Sequence, residues 1–357
     1  MRRIVQFSTG NVGRHSLQAI IGRPDLELVG VHAANPDKIG RDAAELCGLS
    51  EPTGVIATDD IDALIALKPG CVVYTALGET RPMEAIDQMS KLLAAGINVV
   101  GTSMVWLVTP HQADDWLRVP LEEACAAGNS SLYVNGIDPG FSGDTAVHAA
   151  LSLVTRAESV TVQEIFDYGN YDDYEYTGTA RGFGSTPDGD LPMAFQPGVI
   201  TSLFGGLVRN LARPLEVELE EVRQRYEPWY TAERIECKMT TVEPGQLAAA
   251  RFAVEGVRAG VPVITVEHIN RLTSAAGPDW EFPPEGHLGV HKVVVEGEPR
   301  VEVSTHLSHP VLDVTDAGCV STAARAVNAI DWVCRAPAGL ISIEDIPPTE
   351  MIRGLMW

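Results

Sequence analysis

The chain has 357 residues, of which 45% are hydrophobic and 21% charged, and a formal net charge of −22. That length allows two domains and a large buried core, and the composition is that of an ordinary soluble globular protein. The acidity argues against nucleic acid or an anionic membrane as partner, since both need basic surface, and no apolar run reaches the roughly 18–20 residues that span a bilayer.

Ile4, Val5 and Phe7 form a first strand, followed at once by Gly10-Asn-Val-Gly13-Arg-His-Ser16. Gly10 and Gly13 allow a turn tight enough for the backbone amides of Thr9, Gly10, Asn11, Val12 and Gly13 to meet a phosphate at a helix N-terminus. Ser16 stands where the full fingerprint has a third glycine. Val12, Leu17, Ile20 and Ile21 recur at helical spacing, and a second strand, Leu26–His32, closes a βαβ unit. The opening therefore reads as a dinucleotide site. Arg2 and Arg3 run straight into the strand, so no signal peptide is expected there.

In such folds a carboxylate at the end of the second strand holds the ribose 2′-hydroxyl. Here the stretch is His32-Ala-Ala-Asn35-Pro-Asp-Lys38-Ile-Gly-Arg41, with no carboxylate at the strand end. Asn35 can donate to a phosphate, and Lys38, Arg41 and Arg14 lie close by. The pattern leans to NADP(H), with NAD(H) also accepted. Read without a ligand, Lys38 and Arg41 are solvated surface charges.

Strand and helix patterns continue to alternate over the first 140 residues or so. A short apolar piece at 55–57 precedes a helix near Ile61–Leu67, and a buried strand spans Cys71–Ala76. A helix starts at Pro82 with Ile86, Met89 and Leu93 on one face. A strand at Ile97–Val100, a helix over Ala113–Ala127 that Pro120 should kink or split, and a strand at Leu132–Asn135 follow. The expectation is an α/β, Rossmann-like doubly wound parallel sheet.

Beyond a helix at Ala146–Val154 the texture changes to strands: Val160–Phe166, Lys238–Val242, Val261–His268, His291–Val295 and Arg300–His306. The last two read as a hairpin around Val295–Pro299. Gly182–Gly198, rich in Gly, Pro and Phe, reads as a surface or lid loop. The pieces suggest a second α+β domain with a mixed or antiparallel sheet. Val320, Ala323, Ala324, Val327, Ile330 and Cys334 then mark a helix, stopped by Pro337 and Gly339, that should return to the first domain. The expected division is a dinucleotide domain over 1–142, completed by 312–357, and a substrate and dimerisation domain over 143–311.

The six cysteines form no C-x-x-C pair and read as reduced thiols of a cytoplasmic protein. The histidines show no metal-binding spacing, so no metal is expected.

Ligands of a doubly wound sheet lie beyond the carboxyl ends of its strands, which selects Thr75–Glu79, Thr102–Trp106 and Asn135–Asp144. Ala76 and Thr102 fall there as cofactor contacts. Hydride transfer to C=O or C=N needs a nearby proton donor, and Asp138 and Asp144 are the best-placed carboxylates. Their alternatives are a turn contact for Asp138 and a helix cap for Asp144. Tyr168, Tyr171, Asp172, Asp173, Tyr174 and Tyr176 crowd one segment and can wall a pocket or form an exposed acidic loop; Tyr168 is the candidate donor among them. His291 and His306 are either proton donors or satisfied sheet histidines. Met104, Trp106, Phe141 and Tyr174 are the candidate pocket walls, favouring an apolar substrate unless they are simply core.

Together, Gln6–Gly13, Asn35–Gly40, Gly136–Phe141 and Ser321–Asn328 resemble the dihydrodipicolinate-reductase-like superfamily, and within it the native amine dehydrogenases and 2,4-diaminopentanoate dehydrogenase. The resemblance implies an NAD(P)H-binding domain that His32 and Asn328 help to line, a homodimer, and reversible reductive amination of a ketone. The His-His motif and Lys-containing segment of dihydrodipicolinate reductases are missing here. Amine dehydrogenases of this group carry an ammonia-binding glutamate just after the Thr102-Ser103 pair, where this chain has Met104. The sequence therefore reads as an NAD(P)H-dependent oxidoreductase acting on C=N or C=O of a small, mainly apolar substrate. A carbonyl or imine reductase that does not use free ammonia, or a non-catalytic NADP(H)-binding sensor, is the alternative.

Overall fold

The computed structural model describes residues 1–345, so the end of the expected dinucleotide domain lies outside the described residues. In chain order the first elements are β1 (Arg2–Phe7), α1 (Asn11–Gly22), β2 (Leu26–His32), α2 (Ala43–Cys47), β3 (Ala57–Thr58), α3 (Ile61–Ala66), β4 (Cys71–Tyr74), α4 (Pro82–Ala94), β5 (Asn98–Gly101), α5 (Asp115–Gly128) and β6 (Ser131–Val134). Then come α6 (Thr145–Leu151), β7 (Arg156–Asp167), α7 (Thr179–Arg181), α8 (Val199–Ala212), β8 (Glu221–Tyr230), β9 (Ile235–Glu236), β10 (Thr241–Val242), β11 (Leu247–Arg258), β12 (Val261–Arg271), β13 (Gly289–Glu298) and β14 (Val301–Thr305). The chain closes with α9 (Val314–Val333) and β15 (Gly339–Ile341). It divides into two compact units, Met1–Ile137 with the segment from Cys319, and Asp138–Gly318.

The first unit holds a seven-stranded sheet in the order β15-β6-β5-β4-β1-β2-β3, parallel throughout. The order reverses beside β1, which is the topological switch point of a doubly wound fold. Its strands are continuous apolar runs because both faces are covered: Val72, Val99 and Val134 pack with α4 and α5 on one side. On the other, Ile4, Val73 and Val100 meet Ile20 of α1 and Ala326, Val327, Ile330 and Val333 of α9. Pro120 does not split α5, which runs unbroken from Asp115 to Gly128. The missing Pro120 amide would have bonded only to Trp116, in the first turn.

The second unit holds a six-stranded sheet in the order β14-β13-β7-β12-β11-β8, antiparallel except for the parallel β7–β12 pair. One face carries Val160, Val162, Ile264, Val266, Val293 and Val295, packed under α6 and α8. Three of its elements give no clear sequence signal. α8 contains a Gly205-Gly206 pair, β11 begins with a helix-prone alanine run, and β8 is charged and contains Pro228, tolerated at a sheet edge. The strand expected at Lys238–Val242 is corrected: only Thr241 and Val242 pair, with Ile235–Glu236 in a separate two-stranded ribbon. The Gly182–Gly198 loop is pinned by buried Phe183 and Phe195.

Ile330 of α9 is fully buried in the first unit's core. Ile330→Ala should cost about 2–5 kcal/mol, read as a lower denaturation midpoint in urea. An unchanged midpoint would show that α9 does not complete that core.

Candidate active site

In the first unit, β1 ends at Phe7 and Ser8 turns the chain at φ +77°. Gly10 caps α1 without any side-chain hydrogen bond, so the first amides of the helix lack internal acceptors. A Cβ at Gly10 would meet nothing within 4 Å, whereas one at Gly13 would lie 2.4 Å from the Ser8 carbonyl oxygen and 2.8 Å from Thr75 Oγ1. Packing of helix on strand therefore demands Gly13, and Gly10 leaves the approach to the amides open. Ser16 replaces the third glycine with a polar tie: its Oγ donates to Gln6 Oε1 at 2.7 Å, and Gln6 Nε2 donates to Thr75 Oγ1 at 2.9 Å. Such a loop, open at the helix N-terminus and closed behind it, fits a pyrophosphate.

Lys38 Nζ donates to the Thr9 carbonyl at 2.8 Å, which brings a cation to the edge of this loop. Burial lowers its pKa, and Arg41 adds to the effect. Asn35 Oδ1 accepts from the Asp37 amide at 2.9 Å and so caps a short turn. Arg41 is engaged by Glu45 at 2.7 Å. His32 stacks on Phe7 with ring centres 3.8 Å apart, and Phe7 on Tyr74 at 4.7 Å. These rings floor a cleft also lined by Ala34, Ala76 and Arg81. Burial holds His32 below its ordinary 6.5, leaving a neutral ring at pH 7. Ala76 follows β4 and Thr102 follows β5, both half-buried. Asn328 Oδ1 accepts from Arg23 Nη1 at 3.3 Å, at the far end of α1 from the glycine turn.

Met104 is fully buried in the first unit's core, at φ +65°. Trp106 packs on the same core and meets Trp116 edge-on at 6.4 Å. A carboxylate does reach this loop: Glu79 Oε1 accepts from the Val105 amide at 3.0 Å. Burial raises its pKa, against the backbone amides that favour its charged form.

The second unit assembles a different set. Strand register aligns His291 of β13 and His268 of β12 on either side of Glu164 of β7, with Phe252 of β11 next in the row. Paired residues share a face, and here it is the face that α8 covers. Asp138 lies against this row: its Oδ2 is 3.3 Å from His268 Nε2 and 3.9 Å from His291 Nδ1, with the Asp138 side chain 1% exposed. Glu164 Oε1 accepts from the Tyr168 hydroxyl at 2.7 Å and from Asn270 Nδ2 at 3.2 Å. Arg181 Nε donates to Asn270 Oδ1 at 2.8 Å. Phe166 packs on His291 at 4.8 Å, and Phe204 and Phe252 flank His268 at 4.6 and 4.8 Å. The result is an acid–imidazole row walled by aromatic rings.

Of the sequence candidates, Asp138, Tyr168 and His291 are thus brought together, while Glu164, His268, Asn270 and Arg181 went unrecognised. For Glu164, His268 and Asn270 the signal was a polar residue toward the end of an otherwise apolar strand; Arg181, in a short helix between glycines, offered none. Asp144 is the cap of α6 and accepts from the Thr145 amide. Phe141 packs on the second unit's core. Tyr174 is 43% exposed and its hydroxyl donates to the Phe183 carbonyl at 3.3 Å. His306 stacks on His287 instead, at 4.1 Å.

Burial pushes the Asp138 carboxyl up, but the His268 and His291 imidazoles and the Ser142 hydroxyl outweigh it, holding the pKa below 3.8. For His268, burial pulls down, while Asp138 and then Glu164 outweigh it and hold the pKa above 6.5, Arg181 opposing. The pair's stabilisation is therefore present from above the range where Asp138 protonates up to pH 6.5, and is lost as pH rises through the raised His268 value. Asp138→Asn should cost about 3–5 kcal/mol and flatten the fall in stability above pH 6.5, measured by chemical denaturation across that interval. An unaltered slope would mean that the pair does not titrate there.

Among the described residues no helix is long and apolar enough to cross a membrane. Residues 150–356 match the 2,4-diaminopentanoate dehydrogenase C-terminal domain family. The chain is 37% identical over 350 residues to an amine dehydrogenase of Streptomyces virginiae, covering 96% of this chain and 95% of that protein. A shorter stretch of 108 residues, 28% of this chain and 37% of its counterpart, is 35% identical to a 4-hydroxy-tetrahydrodipicolinate reductase of Mastigocladus laminosus. The fold is similar to that of an amine dehydrogenase from Mycobacterium smegmatis, with TM-score 0.75, 18% identity and coverage of 99% and 97% of the two chains. The chain belongs to the amine dehydrogenase and 2,4-diaminopentanoate dehydrogenase family, NAD(P)-dependent oxidoreductases of the dihydrodipicolinate-reductase-like superfamily.

Proposed function

We propose that this protein is an NADP(H)-preferring amine dehydrogenase that interconverts a small, mainly apolar ketone or aldehyde with its primary amine, acting as a cytoplasmic homodimer. Thr9, Gly10, Asn11, Val12 and Gly13 would hold the pyrophosphate, Lys38 and Asn35 the 2′-phosphate, His32 and Ala76 the adenosine, and Thr102 the nicotinamide side. NAD(H) is accepted more weakly. Lys38 at the glycine turn and the missing carboxylate after β2 support that preference, and the free state of all six cysteines supports a reducing compartment. The dimer rests on the family resemblance alone.

When bound, a nicotinamide cofactor would supply the hydride for the carbon of C=N. The chain's own residues manage the protons. Overall, ketone, ammonium, NADPH and a proton give alkylammonium, NADP+ and water. Asp138 favours the protonated form of His268, from which a proton can pass to the carbonyl oxygen as it leaves as water; Tyr168 and Glu164 form the second donor–acceptor pair of the row. The observation that carries this reading is the row itself. Both Asp138 carboxylate oxygens and Nδ1 of His268 and of His291 are buried with no well-aligned hydrogen-bond partner, although buried polar groups are normally satisfied. Phe166, Phe204 and Phe252 around it favour an apolar body on the substrate.

Met104 in the place of the family's glutamate supports a second reading, a carbonyl or imine reductase that never handles free ammonia. Oxidation of NADPH by a panel of methyl ketones, with and without ammonium, separates the two. Amine formation only with ammonium is expected. Ammonium-independent alcohol formation selects the second reading, and no turnover of any carbonyl or amine sinks both. For the cofactor, Lys38→Ala should raise the NADP(H) dissociation constant about tenfold or more with little change for NAD(H), by calorimetry; equal losses for both would remove the assignment of Lys38.

A further inference from the structure

Two cysteines meet in the first unit, at the opposite end of β4 from Tyr74, which lines the candidate cofactor cleft. Cys71 opens β4, fully buried and in register with Ile4 of β1 and Asn98 of β5. Cys334 follows α9 and is half-buried; its amide still bonds to the Ile330 carbonyl at 3.0 Å, so it continues the last turn of that helix. Both pack in the same core cluster. Cys334 Sγ lies 3.5 Å from the carbonyl oxygen of Gly70, the residue before Cys71, and the two thiols share a hydrogen bond. Both sulfurs are thus carried on hydrogen-bonded helix and sheet backbone. Beside them Arg2 pairs with Asp331 at 2.8 Å, with side chains 30% and 24% exposed, so Cys334 is on the solvent side of the pair and Cys71 on the core side. The other four cysteines are placed differently. Cys47, Cys125 and Cys319 are buried, and half-buried Cys237 lies in the second unit with its Sγ 3.0 Å from the Thr240 carbonyl oxygen. The hydrogen bond with Cys71 draws the Cys334 thiol below its ordinary range; burial opposes this and Arg2 assists it. Burial pushes the Cys71 thiol well up, so it stays protonated. A thiolate-prone sulfur near the surface with a second thiol directly behind it suits oxidation of the first and resolution by the second.

We propose that Cys334 and Cys71 form a site of oxidative modification, at which a hydroperoxide converts the two thiols to a disulfide that staples the end of α9 to the start of β4. The Cys334 sulfur attacks one peroxide oxygen, the O–O bond breaks, and the departing hydroxide or alkoxide takes up the thiol proton. Cys334 is then a sulfenic acid. The Cys71 sulfur displaces the sulfenic oxygen, which leaves as water with the Cys71 proton, and the S–S bond forms. Two thiols lose two electrons in all, and the peroxide is reduced to water, or to water and an alcohol. In a reducing compartment thiol exchange returns the pair to its resting state. The crosslink bears on the fold because α9 reaches the first unit only after the whole second unit has intervened, and its docking on Ile4, Val73 and Val100 is noncovalent. A bond from Cys71 to Cys334 closes a loop that contains the second unit and removes conformations from the unfolded state. The site is independent of the amine dehydrogenase reading.

The test treats the full-length reduced protein with hydrogen peroxide, blocks the remaining thiols with N-ethylmaleimide in denaturant, and maps peptides by mass spectrometry. It is run on the wild type, Cys334→Ser and Cys71→Ala. The wild type should lose two alkylatable thiols and yield peptides joined through Cys71 and Cys334, which dithiothreitol separates. Its thermal midpoint should rise by about 5 °C or more on oxidation and fall back on reduction. Cys71→Ala should form no crosslink and leave a dimedone-reactive sulfenic acid at Cys334, in higher yield than at Cys237. Cys334→Ser should form no crosslink, and peroxide should leave its midpoint unchanged. Because Cys71 is a core residue, Cys334→Ser at the half-buried position carries the comparison if Cys71→Ala does not fold. The proposal is overturned by a wild type in which both thiols stay alkylatable, in which Cys334 passes to a sulfinic acid without the crosslink, or in which the disulfide joins another pair. A mapped Cys71–Cys334 crosslink with an unchanged midpoint overturns the stapling of α9.

Discussion

A carboxylate sealed from water is tolerable only beside a compensating charge, and that requirement at Asp138 organises the second unit. Left alone, such an ion costs tens of kcal/mol in a low-dielectric interior. Here two imidazoles from β12 and β13 face it, and Glu164 between them is satisfied by Tyr168 and Asn270. The arrangement also constrains strand register. A slip of one residue in β7, β12 or β13 would turn Glu164, His268 or His291 to the opposite face and leave the remaining charges uncompensated. The apolar rows next along the same strands, Val162, Val266 and Val293, carry α6 and α8. One register thus serves both the core and the acid–imidazole row.

The first unit was largely legible in the sequence because its determinants are local. Each buried strand is a continuous apolar run, each helix begins near a recognisable turn, and the glycine loop that would hold a cofactor lies within seven consecutive residues. The second unit was less legible for physical reasons. The alanine run of β11 has no strand preference of its own and is a strand because β8 and β12 flank it. The chemistry is distributed likewise. Asp138, Tyr168 and His291 were each visible as candidates, but their meaning depends on Glu164 and His268, joined to them only by register between distant segments. Asn328 and Met104 sit in stretches that resemble a functional pattern, while their side chains bond to Arg23 and pack in the core.

Met104 shows how such a change is accommodated. Its side chain fills core, while the adjacent backbone is latched to the loop after β4: the Val105 amide donates to Glu79, and the Gly78 amide donates to Ser103 Oγ at 3.0 Å. A latch of this kind fixes the loop. The same economy of charge appears at the glycine turn. A chain of net charge −22 can still receive a polyanion, because backbone amides and one lysine act at a few ångströms, whereas the distant acidic surface is screened within about 8–10 Å at ordinary ionic strength.

The acid–imidazole row places opposing influences on one proton. Burial and the positive charge of Arg181 oppose the charged form of His268, while Asp138 and then Glu164 favour it and prevail. Glu164 is in turn held by the Tyr168 hydroxyl and by Asn270, whose Oδ1 accepts from Arg181 Nε. The two carboxylates and the guanidinium are thus tied to the imidazole through one hydrogen-bonded network, and a change at any one of them is felt at His268 without direct contact.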